Sequence, residues 1–124
     1  MKKKILFVDD EQALLKMIKL NLEATGKFEV RTESEGKRVL EAANLFKPDL
    51  ILLDIVMPDV EGSEVARQLK SDAKLSDIPI VFLTATVTSE EIDSAGSTIG
   101  GQMFLAKPVT VKQLIDSMEK NLKP

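Results

Sequence analysis

A run of four apolar residues at positions 50–53 ends on Asp54 and is followed shortly afterwards by Met57-Pro58. A short apolar run without alternation is typical of a strand that is covered on both faces of its sheet. Proline ends regular structure because it has no N–H for a sheet ladder. The pattern therefore predicts a buried strand that leaves its sheet at Asp54, where the carboxylate is well held yet reachable from solvent.

Composition restricts the chemistry that this chain can perform. Its 124 residues suit one domain, over residues 1–124, and they include neither cysteine nor histidine. Disulfides and thiolate metal sites are excluded, and the commonest general base is missing, so carboxylates, lysines and hydroxyls must carry any reaction. A formal net charge of −3 argues against a general nucleic-acid binder. The sequence has no membrane span or targeting segment, which predicts a cytoplasmic protein without membrane contact.

Strand and helix patterns alternate along the whole chain. Apolar or alternating segments predict five strands, each followed by a helical pattern, at residues 4–8, 28–32, 50–53, 79–83 and 102–106. This alternation predicts a single-domain α/β fold, a doubly wound (βα)5 arrangement with a parallel sheet and helices on both faces.

The helical segments differ in quality. The apolar stripes, including Met17 and Met118, are expected in the core. Ser63 and Thr110 are expected to cap the third and the last helix. The fourth helix, from Ser89 and carrying Ile92, Ala95 and Ile99, is weak because Gly96 inside it costs about 1 kcal/mol relative to alanine.

Polar side chains follow four of the predicted strands. Asp9-Asp10 follows the first strand, Asp54 the third, Thr84 the fourth and Lys107 the fifth. The carboxyl ends of parallel strands meet at one edge of a sheet, where ligands bind. Singly, each residue could be a helix cap or a turn residue. Together they predict one shared site.

Crowded carboxylates repel one another, and a divalent cation relieves this repulsion. Mg²⁺ prefers oxygen ligands, so Asp9, Asp10 and Asp54 could bind it together with a backbone carbonyl, for which Val56 is the candidate. Lys107 could balance phosphoryl charge, and the Thr84 hydroxyl could donate a hydrogen bond to a phosphoryl oxygen. An aspartate can attack phosphorus and form an aspartyl phosphate.

The sequence resembles the response regulator receiver domain of two-component signal transduction over its whole length. The resemblance is carried by Asp9-Asp10, by Asp54-x-x-Met57-Pro58-x-x-x-Gly62, by Thr84-Ala85, and by Gly100 ahead of Phe104-Leu105-x-Lys107-Pro108. It implies a flavodoxin-like sheet with strand order 2-1-3-4-5.

The resemblance also implies a role for each matched residue. Asp54 is expected to accept a phosphoryl group from a phosphohistidine on a sensor histidine kinase or histidine phosphotransfer protein. Asp9 and Asp10 are expected to hold Mg²⁺, Lys107 to contact the phosphoryl group, and Pro108 to follow a cis bond.

Thr84 and Phe104 are the expected switch residues. Their movement would shift the face made by the fourth helix, the fifth strand and the last helix, and so change binding to an unidentified downstream partner or output domain. The domain itself is not expected to bind nucleic acid. It would catalyse only its own phosphorylation and dephosphorylation, without turnover of a substrate.

This chain departs from the family pattern at several positions. Phe104 replaces the more usual tyrosine, and Gln102-Met103 replaces acidic residues. The apolar Val56 should hinder an attacking water, which predicts a long-lived phosphorylated state. Gly96 predicts that the fourth helix is locally labile.

Three other functions compete with this interpretation. A phosphatase with an aspartate nucleophile would want an acid at Val56. A flavodoxin would want a phosphate loop rich in glycine and hydroxyls where Asp9-Asp10-Glu11 stands. A receiver-like interaction module without phosphorylation chemistry would not need the complete set of site residues.

Overall fold

The computed structural model describes residues 2–55, 57, 59–84, 97–99, 102–107 and 109–122. The strands of these residues are β1 Lys3–Val8, β2 Phe28–Glu33, β3 Leu50–Asp54, β4 Ile80–Thr84, β5 Ser97–Ile99 and β6 Gln102–Ala106. The helices are α1 Gln12–Ala24, α2 Val39–Phe46, α3 Gly62–Ser71 and α4 Val111–Asn121, and a single 3₁₀ turn, Gly36–Arg38, precedes α2.

The strands form one sheet in the order β2-β1-β3-β4-β6-β5. All neighbours from β2 to β6 pair in parallel, so the predicted order 2-1-3-4-5 of a doubly wound α/β fold is confirmed. Every residue of β3 is buried, as the apolar run predicts. The edge strand β2 alternates between buried and exposed residues over its first four positions, which fits its predicted wetter face.

Each face of the sheet has its own apolar layer. Ile5 and Phe7 of β1 point toward α1 and α4, where they meet Leu15, Ile18 and Leu114. The intervening residues of β1 and β3 point the other way, against α2 and α3, where the second layer includes Leu6, Leu53, Val39, Val65 and Leu69. Burial on both faces explains why the central strands are apolar throughout.

The predicted fourth helix is wrong at Ile99, which lies in β5. This strand pairs antiparallel with β6, with Ser97 opposite Phe104 and Ile99 opposite Gln102. The β-branched Thr98 and Ile99 suit a strand, and two glycines between two strand segments are a hairpin signal in the sequence. The remainder of the predicted helix, including Gly96 and its expected lability, lies outside the described residues.

Two smaller predictions also need correction. Met17 is 48% exposed, because it lies on the solvent side of α1, whereas Met118 is fully buried as expected. Ser63 does not cap α3: the helix begins at Gly62, with Glu61 at the capping position and no side-chain cap. Thr110 does cap α4, and Gln113 completes a reciprocal capping box with it.

The described helices are all too short or too polar to cross a lipid bilayer.

The edge strand β2 has one backbone N–H that is satisfied from outside the sheet. The Val30 N–H donates to the carboxylate of Glu23 at 3.1 Å.

Candidate functional site

Three carboxylates meet at the carboxyl edge of the sheet. One oxygen each from Asp9, Asp10 and Asp54 lies within 4.8 Å of the others. Asp9 and Asp54 are buried, at 0% and 4% exposure, and Asp10 is exposed. Two of the acids are therefore fixed by the core while the third opens the cluster to solvent.

The backbone around β1 and β2 holds Asp9 in place. The Asp9 N–H donates to the Glu33 carbonyl at 3.1 Å, which extends the β1–β2 ladder by one bond. The Asp9 carboxylate in turn accepts the Glu11 N–H at 3.0 Å. This bond ties the Asp9 side chain to the residue that immediately precedes α1 and so fixes the carboxylate beside the cluster.

Lys107 brings a positive charge to the acidic cluster. Its Nζ lies 2.6 Å from Asp9 Oδ2, 3.5 Å from Asp54 Oδ2 and 3.4 Å from Glu11 Oε1. The Lys107 N–H donates to the Thr84 carbonyl at 2.9 Å, so the end of β6 remains tied to the end of β4. The side chain is only 14% exposed, which strengthens its electrostatic interactions with the acids.

The pKa values of Asp9 and Lys107 are both raised by their surroundings. Burial raises the pKa of Asp9, and the hydrogen bond from Lys107 and the Glu11 N–H oppose this only in part. Burial alone would lower the pKa of Lys107, but the hydrogen bond and charge of Asp9, with the charges of Asp54 and Glu11, raise it overall. The charged form of Lys107 is therefore favoured by the acids around it, whereas burial disfavours the charged form of Asp9.

The loop after Asp54 closes tightly on the strand. The Gly62 N–H donates to the Ile55 carbonyl at 2.6 Å, and the Ile55 N–H donates to the Leu83 carbonyl at 3.1 Å. A side chain at position 62 would collide with the backbone of Asp54 and Ile55. Glycine at this position allows the first turn of α3 to pack directly against the end of β3.

The predicted switch residues lie on the two strands beyond Asp54. Thr84 is buried at the end of β4, one residue after Leu83, which pairs with Asp54. Phe104 is half-buried in β6 and stacks on Phe82, with ring centroids 5.2 Å apart. Val56 and Pro108 lie outside the described residues, so their predicted roles as metal ligand and cis-proline stay predictions.

Two acids near the site were not assigned a role from the sequence. Glu11 contributes to the surroundings of Lys107. Asp59 binds two backbone N–H groups of the turn after β2. The Asp-Asp-Glu run could have pointed to Glu11, but nothing local in the sequence pairs Asp59 with a turn 23 residues earlier.

The donor set of the acidic cluster fits a hard divalent cation. All three side chains offer carboxylate oxygens, close enough to share one ion, and Mg²⁺ prefers such ligands while keeping several waters. Asp9, Asp10 and Asp54 are therefore the side chains that would hold the ion.

The sequence matches a known protein family over most of its length. Residues 5–119 match the family model described as the response regulator receiver domain. The chain belongs to this family. It is a receiver domain, the phosphorylation-activated switch of two-component systems, and thus a regulatory phosphoacceptor rather than a classical enzyme.

Individual relatives agree with the family assignment. The chain is 33% identical to the polar-differentiation response regulator DivK of Brucella ovis over 122 residues, 98% of both proteins. It is 38% identical to the nisin biosynthesis regulatory protein NisR of Lactococcus lactis over 97% of this chain, but it spans only 50% of NisR. The solved structure of the chemotaxis response regulator CheY4 of Vibrio cholerae superposes with a TM-score of 0.82 at 26% identity, covering 98% of this chain and all of that one. Receiver domains of response regulators interact with histidine kinases and downstream targets.

Proposed function

We propose that Asp54 is the phosphoacceptor of this receiver domain and that Asp9 and Asp10 bind the Mg²⁺ that its phosphorylation requires. The observation that carries this proposal is the convergence on Asp54 of two further carboxylates and the Lys107 ammonium, at the carboxyl edge of the sheet. A buried nucleophile beside an exposed acid allows a donor to approach from solvent while the acceptor stays fixed.

The transfer begins with an attack of an Asp54 carboxylate oxygen on the phosphorus of a phosphohistidine. An oxygen–phosphorus bond forms and the nitrogen–phosphorus bond breaks; its electron pair returns to the imidazole, which takes up a proton. Lys107 lies close enough to Asp54 to interact with the oxygens of a phosphoryl group transferred to it, while its contact with Asp9 holds the ammonium in place. Bound Mg²⁺, with Val56 as the proposed carbonyl ligand, would supply charge neutralisation on the phosphoryl oxygens.

Autophosphorylation is part of the proposal. Because the acid cluster and the lysine come from this chain alone, a small phosphodonor should suffice without a kinase. In the cell the donor is a sensor histidine kinase or a histidine phosphotransfer protein. We place the receiver domain itself in the cytoplasm. The downstream target is either another protein or an output domain.

The switch would act through the two strands beyond Asp54. We propose that Thr84 moves toward the phosphoryl group and that Phe104 turns inward in response. The hydrogen bond between the Thr84 carbonyl and Lys107, and the Phe82–Phe104 stack, couple β4 to β6 and support this path. A pre-existing minor conformation would then become the major one, as in other two-state switches.

Intact-mass measurement tests the proposed acceptor. Incubation with MgCl₂ and a small phosphodonor should add one phosphoryl group to the wild type and none to Asp54→Ala. Asp49→Asn is a matched control, since Asp49 accepts the Lys4 N–H at 2.8 Å at the opposite edge of the sheet, and it should be phosphorylated like the wild type. Phosphorylation of Asp54→Ala would refute the proposal.

The predicted long lifetime of the phosphorylated state depends on Val56. Val56→Asn should speed the decay of phospho-Asp54 in the presence of Mg²⁺, because the polar amide can orient an attacking water. Decay at the wild-type rate would show that position 56 does not control the lifetime.

A further inference from the structure

The 3₁₀ turn that follows β2 begins without a cap of its own. Glu35 occupies the capping position but makes no side-chain cap, and its carboxylate instead pairs with Arg38 at 2.6 Å. The first N–H groups of a helical turn have no partners within the turn, so they must be satisfied from outside.

Asp59 supplies the missing cap from a distant part of the chain. The Gly36 N–H donates to Asp59 Oδ1 and the Lys37 N–H to Oδ2, both at 3.1 Å. Both bonds lower the pKa of Asp59, and the bond from the Lys37 N–H has the largest effect. The carboxylate therefore stays charged at neutral pH. A Cβ on Gly36 would lie 3.1 Å from the Val60 Cβ, which shows how closely the turn and the loop after Asp54 approach.

The segment that carries Asp59 is the loop that closes on Asp54. Its two ends meet in the bond between the Gly62 N–H and the Ile55 carbonyl, and Asp59 lies between them. This loop is therefore fixed at its base by Gly62 and at its tip by Asp59. A loop held at two points loses little conformational freedom when a ligand binds beside it.

The turn that receives Asp59 also reaches Asp9. The Glu33 carbonyl accepts the Asp9 N–H, and the Glu33 carboxylate accepts the N–H groups of Ser34 and Glu35 at 3.1 and 3.2 Å. Hydrogen bonds at both ends of the segment 33–37, joined by its backbone, thus connect Asp9 to Asp59.

We propose that Asp59 is a positioning residue, which joins the loop after Asp54 to the turn after β2 and so preorganises the acidic cluster for Mg²⁺. The inference rests on the proposed magnesium site and deepens it. Asp59 acts only through the backbone that it holds, in the way that outer-sphere partners orient metal ligands elsewhere.

Calorimetric titration of the unphosphorylated protein with MgCl₂ tests the effect on metal binding. Loss of a direct outer-sphere partner weakens metal binding by about 10–100-fold; because Asp59 acts through a loop, we expect about 3–10-fold for Asp59→Ala. Asp59→Asn keeps an oxygen for one of the two N–H groups and should restore most of the affinity. Asp72→Ala is the matched control, since Asp72 accepts the Lys74 N–H at 2.8 Å in a loop at the opposite edge.

These variants separate positioning from simple charge. If Asp59→Asn binds Mg²⁺ as weakly as Asp59→Ala, the lost negative charge explains the effect and the proposal is overturned. It is equally overturned if Asp59→Ala binds like the wild type.

Amide hydrogen exchange gives a second readout that needs no metal. If Asp59 holds the loop, the Gly62 N–H, which donates to the Ile55 carbonyl, should exchange faster in Asp59→Ala than in the wild type. Unchanged exchange at Gly62 would overturn the positioning role. A wild type that fails to bind Mg²⁺ would instead refute the proposed metal site, and the exchange at Gly62 would then decide the role of Asp59 by itself.

Discussion

Replacement of Gly62 by alanine tests how closely the site depends on the packing of α3 against β3. The added Cβ would lie 2.6 Å from Ile55 Cα and closer still to the Asp54 carbonyl oxygen, whereas real Cβ atoms almost never come within 3.0 Å of such neighbours. The backbone must therefore move by more than about 0.4 Å, since the Asp54 oxygen lies closer than the Ile55 Cα and a close-packed interior leaves no room to absorb the atom elsewhere. Overpacking of this kind costs about 1–3 kcal/mol.

The same displacement should also impair the chemistry of Asp54. Alanine gains up to about 1 kcal/mol over glycine within a helix, so we expect a net loss near 1–2 kcal/mol. For a chain of this size that corresponds to a fall in Tm of about 4–8 °C. Misplacement by about 1 Å can cost on the order of 100-fold in rate, so phosphorylation of Gly62→Ala should slow by about 10–100-fold.

Gly26→Ala provides the control for lost stability. Gly26 has a φ of 76° and nothing within 4 Å of an added Cβ, so alanine there costs conformational energy without a collision. It should lower the urea midpoint yet leave the phosphorylation rate unchanged. If Gly62→Ala unfolds and is phosphorylated like the wild type, or if Gly26→Ala slows the reaction equally, the displaced backbone is not the cause.

Three further outcomes follow from the charges around the site. Added MgCl₂ at a hundredfold excess over its Kd should raise the free energy of unfolding in urea by about 2.7 kcal/mol, and a gain of the same size in Asp10→Asn would exclude Asp10 as a ligand. Lys107→Met should lower the free energy of unfolding by about 2–3 kcal/mol, because it leaves the buried Asp9 carboxylate without its ammonium partner. This loss is smaller than the roughly 3–5 kcal/mol that is typical when a fully buried ion pair is broken. An unchanged urea midpoint would contradict this expectation. Since hydrogen bonds lower the pKa of Asp59, its stabilisation exists at neutral pH and is lost as pH falls through that lowered value, so wild type and Asp59→Asn should converge in acid; a stability difference that persists there would argue against the cap.

The main features of the fold and the site could be predicted because they depend on local patterns. The apolar run at residues 50–53 has the length of a strand buried on both faces, and the alternation in β2 fits a strand with one wet face. The polar residues after each strand then come together as a consequence of parallel topology alone. This is why Asp9, Asp10, Asp54 and Lys107 could be grouped without coordinates.

The parts that could not be predicted depend on pairing between distant segments. Ile99 suits an apolar helix position as well as a strand. It lies in a strand because β5 pairs with β6, and the local sequence does not reveal that pairing. Asp59 looks like an ordinary turn residue until the turn at Gly36 is placed beside it. Met17 continues an apolar pattern, but α1 has only one side against the sheet.

The two margins of the sheet are shielded in different ways. At one margin the edge strand β5 is only three residues long, and at the other the Glu23 carboxylate accepts the Val30 N–H. Exposed strand backbones invite neighbouring molecules to add strands of their own, which is a common route to aggregation. With one margin short and the other partly covered, this sheet offers few backbone groups to which a second copy could add a strand.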